Sequence, residues 1–458
     1  MKIYNTMSRR VEDFKTIKKG QVKMYVCGPT PYDKSHIGHA RTYVFFDFLR
    51  RFLEFEGQKV KLVVNLTDVD DKIIKRAAEF DSWQVVPDLY SRYFFWMLEK
   101  LKIKEPATFP TVTAHMPEII ELVQKLVEKG FAYKLKDGIY FDVSKFQEYG
   151  KLSKVKLDDP KISRVEPAPG KKNPADFAVW KFRKKGEPYW CAPFGEGRPG
   201  WHIECSAMST CYLGEQFDIH GGGADLAFPH HENEIAQSEA ATGKSPWVNY
   251  WVHVAFLTIA KEKMSKSLKN IIGIDELVDA FPPEVLRYYL LSAHYRTQLD
   301  FTWEKVKKGR EQWDKIARAW FEILQRKEQG IYGKDDVSKE VELEFKRAIQ
   351  SLEDDLKTPD AYANIHFIAS LVLSNDPDKA SVEKAHEVFR KLDDIFAFLP
   401  QKSWTPKELK LAEELAELRE KLRKDKKFAL SDKIRERLSE QGITIEDTKS
   451  GGKVKFEP

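Results

Sequence analysis

Two histidines three positions apart, His36 and His39, close the stretch Val26-Cys27-Gly28-Pro29-Thr30-Pro31-Tyr32-Asp33-Lys34-Ser35-His36-Ile37-Gly38-His39. Their ring N–H groups are donors of the kind that stabilise developing phosphate charge. Met24 to Val26 reads as the end of a buried strand, Gly28, Pro29 and Pro31 as a tight loop, and Ala40 to Phe55 as a helix. A strand feeding a helix through such a loop is where open α/β sheets bind ligands. The helix start is expected to offer free backbone N–H groups and a partial positive charge to phosphate, and Gly38 to let a nucleotide come close. Far downstream, Lys263-Met264-Ser265-Lys266-Ser267 puts two lysines on a polar loop, where they can meet a polyphosphate. Gly221-Gly222-Gly223-Ala224-Asp225 reads as a loop beyond a short strand, with Asp225 able to accept a ribose hydroxyl. Each has a plainer reading as solvated side chains or a simple turn.

His230 and Glu234 lie four apart on a predicted helix opened by Pro229, so they share a face and can ligate a metal together or decorate an ordinary helix surface. Cys205, at the head of another helix, and Cys27, at the end of the first strand, fall at the same ligand edge of the sheet. Thr67, after the second strand at Lys59–Leu66, is either a substrate contact or a helix N-cap.

The elements that must hold these groups follow from the rest of the chain. Its 458 residues leave room for about three domains. With 76 basic against 71 acidic side chains, the net charge of +5 is compatible with nucleic acid without requiring it. No apolar run is long enough for a bilayer or a signal peptide, so a cytoplasmic protein without a membrane partner is expected. Four cysteines are too few for a disulfide framework. Helical spacing covers much of Asp70 to Ala132, a hairpin turns at Asp137-Gly138, and Lys151 to Lys172 reads as a surface loop. Gln216–His220 and Trp247–Ile259 read as strands. Beyond Pro282 the pattern is helical, over Glu284–Ala293, Trp303–Arg326, Val337–Leu356, Asp360–Leu373 and Val382–Phe398, and then from a capping box at Thr405 to about Lys427. Phe428–Arg435 reads as a short helix, and Gly442–Thr448 and Val454–Phe456 as two strands.

His36-Ile37-Gly38-His39 and Lys263-Met264-Ser265-Lys266-Ser267 resemble the two signatures of class I aminoacyl-tRNA synthetases, and Cys27 to Arg41 resembles the longer string of the cysteinyl-tRNA synthetases. The likeness covers nearly the whole chain. It departs at Lys269, where the family usually has glycine, and at Gln298, where proline is common. It implies a Rossmann-like parallel-sheet α/β catalytic domain split by a connective insertion, then a helical bundle and a small C-terminal module. The implied boundaries are 1–115 and 200–280 for the two half-folds and 116–199 for the insertion, followed by 281–335 for a linker, 336–427 for the anticodon-binding bundle and 428–458 for the terminal module.

The resemblance further implies activation of L-cysteine by ATP to cysteinyl-adenylate and pyrophosphate, then transfer to the 3′ end of tRNA(Cys), by a monomer. In this reading His36, His39, Lys263 and Lys266 are catalytic and, with Gly38 and Asp225, bind ATP and its Mg²⁺. One Zn²⁺ per chain sits on Cys27, Cys205, His230 and Glu234, while Thr67, Trp201 and a histidine, His202 or His220, shape the cysteine pocket. A hydrophobic pocket separates cysteine from serine by only about 1–3 kcal/mol, whereas zinc prefers a thiolate strongly, so no editing domain is needed. Two other readings stay open, a ligase that passes cysteine to a small amine and an RNA-binding paralogue without catalysis.

Overall fold

The computed structural model describes residues 1–156, 169–259, 262–263, 272–400, 406–440, 443–448 and 451–456. The chain divides into two compact units, Met1–Phe281 with Ala293–Phe301 and Asp354–Leu356, and Pro282–Ser292 with Thr302–Glu353 and Lys357–Pro458.

In the first unit four parallel strands, β1 (Gln21–Val26), β2 (Lys59–Val64), β3 (Phe217–Gly223) and β4 (Val248–Val254), lie side by side in the order β4-β3-β1-β2. Met24, Tyr25 and Val26 are wholly buried, as expected of a strand covered on both faces. Helix α1 (Ile37–Phe55) joins β1 to β2, α2 (Ile203–Leu213) precedes β3, and α3 (His230–Thr242) joins β3 to β4. This is the Rossmann-like α/β arrangement expected of the sequence.

Two expectations are corrected. The triple glycine is not a loop but the end of β3, where the Cys27 N–H donates to the Gly221 carbonyl at 3.0 Å. A Cβ on Gly221 would stand 2.3 Å from the Phe46 ring of α1 and 2.7 Å from the Val252 carbonyl. Glycine therefore serves helix–strand packing here and not a turn. The apolar run Trp247–Ile259 is likewise two strands, because β4 stops at Val254 and Leu257–Ile259 enters a separate sheet with Leu299–Phe301 and Glu262–Lys263. At the break the Ala255 N–H donates to the Tyr295 carbonyl and the Arg41 guanidinium to the Phe256 carbonyl, both at 2.8 Å, so tertiary bonds replace ladder bonds.

Between β2 and β3 in sequence stands an antiparallel sheet of Ala132–Lys134, Gly138–Phe141, Phe177–Phe182 and Gly197–Pro199, with the expected hairpin at Asp137-Gly138. Of the expected surface loop Lys151–Lys172, residues 157–168 lie outside the described residues. Its start is held by α3, since the buried Glu232 carboxylate accepts from the Gly150 N–H at 2.9 Å and the Ser153 N–H at 2.7 Å.

The second unit is helical: α4 (Pro283–Leu291), α5 (Trp303–Gln329), α6 (Ser338–Glu353), α7 (Thr358–Ser374) and α8 (Lys379–Phe396). Trp313 and Arg287 are buried inside it, donating to the Phe398 carbonyl at 2.8 Å and the Phe396 carbonyl at 2.9 Å. Helix α8 ends before the expected Phe398 because Ala397 turns left-handed, at φ 50°. Helix α6 stops short of Leu356 because Asp355 also turns left-handed and belongs to the first unit, where its carboxylate takes the Tyr4 N–H and the Tyr295 hydroxyl, both at 2.7 Å. Helices α9 (Pro406–Lys424) and α10 (Phe428–Glu440) precede an antiparallel pair, Ile443–Thr448 with Gly451–Phe456. The Thr405 cap lies outside the described residues. No described helix is long and apolar enough to cross a membrane.

Candidate active site and metal centre

From β1 the chain crosses to β2 on one side of the sheet and from β3 to β4 on the other, so the carboxyl ends of β1 and β3 flank a topological switch point. A cavity of about 430 Å³ opens there. Its walls include His36, Gly38, His39, Thr67, Trp201 and Asp225, and its floor Cys27, Cys205 and His230.

The start of α1 departs from expectation. The ring Nδ1 of His36 caps the helix, accepting from the Gly38 N–H at 3.1 Å and the His39 N–H at 3.4 Å. The Ile37 N–H goes to the Ile272 carbonyl and the Ala40 N–H to the His36 carbonyl, each at 3.2 Å. The four helix-start N–H groups are thus satisfied within the protein and are not free donors for phosphate. The consequence falls on the rings. His39 Nδ1 accepts from the His36 N–H at 3.3 Å, and the two imidazoles stack with centroids 3.7 Å apart. With both Nδ1 atoms accepting, each neutral ring carries its proton on Nε2, so the capping fixes the tautomer that donates.

Below them the structure gathers a buried cluster. Ligand atoms of Cys27, His230, His231 and Glu234 lie within 4.8 Å of one another. Cys205 joins it, with its Sγ 3.9 Å from that of Cys27 and a hydrogen bond to the His230 ring. His230 Nε2 and His220 Nε2 flank the Glu234 carboxylate at 2.9 and 2.8 Å, and Cys27 Sγ is 3.6 Å from it. Sequence spacing put only His230 and Glu234 together; the cysteines meet them because β1 ends and α2 begins at the same edge.

The charges sort themselves within this enclosure. Burial pushes the Glu234 carboxyl up, but His220 and His230 outweigh it and hold it at about 2. Burial opposes charge on His230, yet Glu234 and Cys205 raise it to about 10. The Cys205 thiol is drawn down to about 6, first by its hydrogen bond with Cys27 and then, against burial, by His230. Cys27 is pushed up by burial first and then by Cys205 and Glu234. Burial keeps His202 and His231 neutral and brings His253 down to about 3. Two thiols, a carboxylate and imidazoles sharing so small a space form a donor set that suits a divalent cation of zinc's softness.

The other predicted positions divide. Thr67 is buried beside Asn65, whose amide donates to its hydroxyl at 3.2 Å, and the helix N-cap nearby is Asp70, so the cap reading of Thr67 fails. The Trp201 ring lies 4.7 Å from that of His230. His220 stands behind Glu234 and His202 behind His230, at 2.9 Å between Nδ1 atoms, and neither lines the cavity. Lys263 is described only as strand backbone paired with Thr258, and Lys266 and Lys269 lie outside the described residues.

Three contributors have no signal in spacing. His231 approaches Cys27 Sγ at 3.3 Å and is held by His253 at 2.8 Å. Asn65, wholly buried, accepts from the Gly28 N–H at 2.8 Å, and a Cβ on Gly28 would stand 1.4 Å from the Asn65 carbonyl oxygen. Arg41, 3 % exposed, fastens α1 to the segment that leads toward Lys263.

The family described as "tRNA synthetases class I (C) catalytic domain" matches residues 13–311. The "Cysteine--tRNA ligase" of Thermococcus gammatolerans is 46% identical, covering 98% of each chain, and that of Methanococcus maripaludis is 45% identical over 99% of this chain and 98% of its own. Among solved structures, a putative arginyl-tRNA synthetase from Campylobacter jejuni aligns with TM-score 0.58 at 16% identity, covering 86% of this chain and 96% of its own. Mycobacterium tuberculosis methionyl-tRNA synthetase with methionyl-adenylate aligns with TM-score 0.59 at 14% identity, covering 82% and 89%. These two likenesses concern the fold.

Proposed function

Since the chain belongs to the cysteine–tRNA ligase family of class I tRNA synthetases, we propose that it joins L-cysteine to the 3′ end of tRNA(Cys) through a cysteinyl-adenylate. The observation that carries this reading is the meeting of Cys27, Cys205 and His230 at the floor of the cavity whose wall holds His36 and His39, with the Glu234 carboxylate against the His230 ring beneath them.

Cys27, Cys205, His230 and Glu234 would hold one Zn²⁺. Cys205 is chosen over His231 because it lines the cavity, whereas His231 lies behind Cys27 and is engaged by His253. Zinc so held would supply a strong preference for the substrate thiolate over a serine hydroxyl. His220 orients the Glu234 carboxylate and His202 the His230 ring. Thr67 and Trp201 close on the amino acid from either side.

ATP, with its Mg²⁺, lies along α1. The cysteine carboxylate attacks the α-phosphorus in line, a C–O–P bond forms and the bond to pyrophosphate breaks. The Nε2–H groups of His36 and His39 donate to the phosphoryl oxygens as they gain charge, Lys263 and Lys266 receive the departing pyrophosphate, and Asp225 accepts from the ribose. Positioning and charge stabilisation dominate such transfers. The terminal hydroxyl of tRNA then attacks the carbonyl carbon and AMP leaves. A soluble cytoplasmic monomer is the setting this reading assumes.

The test is ATP–pyrophosphate exchange with each amino acid, followed by charging of tRNA(Cys). Exchange with cysteine and not serine, with label appearing on tRNA, is expected. Exchange that ignores the amino acid, or cysteine passed to a small amine in place of tRNA, overturns the proposal.

A further inference from the structure

The chain that leaves β2 serves two cavities. Thr67 faces the reaction cavity, while its neighbours Leu66 and Asp68 line a second one of about 740 Å³, as the two-residue alternation of an extended segment requires. This second space is of the size that small organic ligands occupy. Its walls carry Trp83, Trp190, Phe95 and Phe109. Trp83 and Trp190 meet edge to face at 6.3 Å, and Phe95 and Phe109 at 5.0 Å, so two aromatic pairs line the space. Phe95 is nonetheless 39 % exposed, a large apolar surface left open to water.

The polar groups of the cavity are as telling as its rings. Asp68 is engaged, accepting from the Thr113 N–H at 3.0 Å and from its hydroxyl. Asp88 and Arg92, one helical turn apart on Val85–Lys100, both reach the cavity, yet no ion pair joins them or ties either to another described residue. Aromatic faces beside an uncommitted guanidinium and carboxylate suit a planar heterocycle bearing both donors and acceptors, attached to a phosphate. A purely apolar occupant would leave Arg92 unused.

We infer that this second cavity binds an unpaired nucleobase of the RNA acceptor strand, next to the terminal nucleotide that enters the Thr67 cavity. The inference rests on the tRNA reading above and deepens it. Leu66 and Asp68 flank Thr67 and face away from it, so the two cavities stand back to back across one extended segment, and an unstacked strand rounding that segment would seat a base among the rings and a ribose at Thr67. Arg92 would then hold the connecting phosphate or a base carbonyl, and Asp88 an exocyclic amine.

The test uses full-length tRNA(Cys) carrying 2-aminopurine beside its terminal adenosine, with the wild-type chain and the Arg92→Ala and Phe95→Ala variants, both at exposed positions. In the wild type, stacking quenches the probe; each variant restores its fluorescence and raises the KM for tRNA roughly ten-fold, in line with the loss of one stacked base. Cysteine-dependent ATP–pyrophosphate exchange stays at the wild-type level, and free CMP at millimolar concentration, as the competing small-nucleotide source, does not displace the probe and restore its fluorescence. Normal tRNA KM in both variants, or loss of exchange in step with charging, overturns the inference and leaves the ligase intact. A quench that CMP displaces, with charging unaffected, overturns it in favour of a free-nucleotide site. Absence of charging in the wild type itself brings down the ligase reading, and this one with it.

Discussion

Replacing the sulfur of Cys205 by oxygen keeps the size of the side chain and removes its affinity for a soft cation, which makes this residue the sharpest probe of the cluster. The Cys205→Ser protein is expected to lose zinc, measured by metal analysis after dialysis, and to lose cysteine-dependent exchange while still binding ATP. His231→Gln should keep one zinc per chain with affinity weakened by about 10–100-fold, because it removes a neighbour of Cys27 and not a ligand. Equal metal loss in both variants would place His231 among the ligands. The sequence pattern exposed only the His230 and Glu234 pair. His231 was hidden because adjacent helix positions point apart. It joins the cluster only because His253, on β4, grips its far nitrogen at 2.8 Å.

At the scale of elements, α1 depends on a side chain that the proposed chemistry also uses. His36 occupies the N-cap, so part of its importance is structural. The His36→Ala variant should unfold more easily by about 1 kcal/mol, the usual loss of a cap, and also lose activation. The His36→Asn variant separates the two roles, since asparagine is a good cap with no ring to reach the phosphate. Thermal unfolding close to wild type with exchange reduced at least about 100-fold is the expected result. Recovery of exchange in His36→Asn would reduce His36 to a cap. The strand–loop–helix unit was legible from Met24 to Phe55, but the fate of its N–H groups was not. They are taken up by a histidine ring and by the Ile272 carbonyl, and the latter is distant in sequence.

At the scale of the molecule, the antiparallel sheet that lies between β2 and β3 in sequence is fastened by charge to the short helix after β2. Asp71, on that helix, is paired with Lys181 at 2.5 Å and with the buried Arg198, both from the sheet. Burial pushes the Asp71 carboxyl up, but Lys181 and Arg198 outweigh it and hold it below the ordinary carboxylate range. A group whose folded pKa is depressed stabilises the fold above its unfolded pKa, near 3.9 for aspartate, and loses that contribution as pH falls through the folded value. The Asp71→Asn variant should therefore melt below the wild type near neutral pH and converge with it as pH falls from about 5 through the ordinary aspartate value and then the lower folded one. Melting curves across that range give the answer, and a gap that stays constant would remove the ion pair from the account.

The order of residues by itself determined the signatures, the class of fold, the succession of α/β and helical regions and the pairing of His230 with Glu234, because these depend on local periodicity, turn chemistry and side-chain type; the likeness to a known family added Cys27 and Cys205. Tertiary structure alone decided that Gly221 belongs inside a strand, that the run after Trp247 breaks at Ala255, that helix-start donors are consumed internally, and that Asn65, Arg41 and His231 support the site. The reason is common to all of these. Apart from the local His36 cap, each rests on a contact between segments tens to hundreds of residues apart, and such contacts are fixed by how the sheet edge brings chain ends together, which no local pattern encodes.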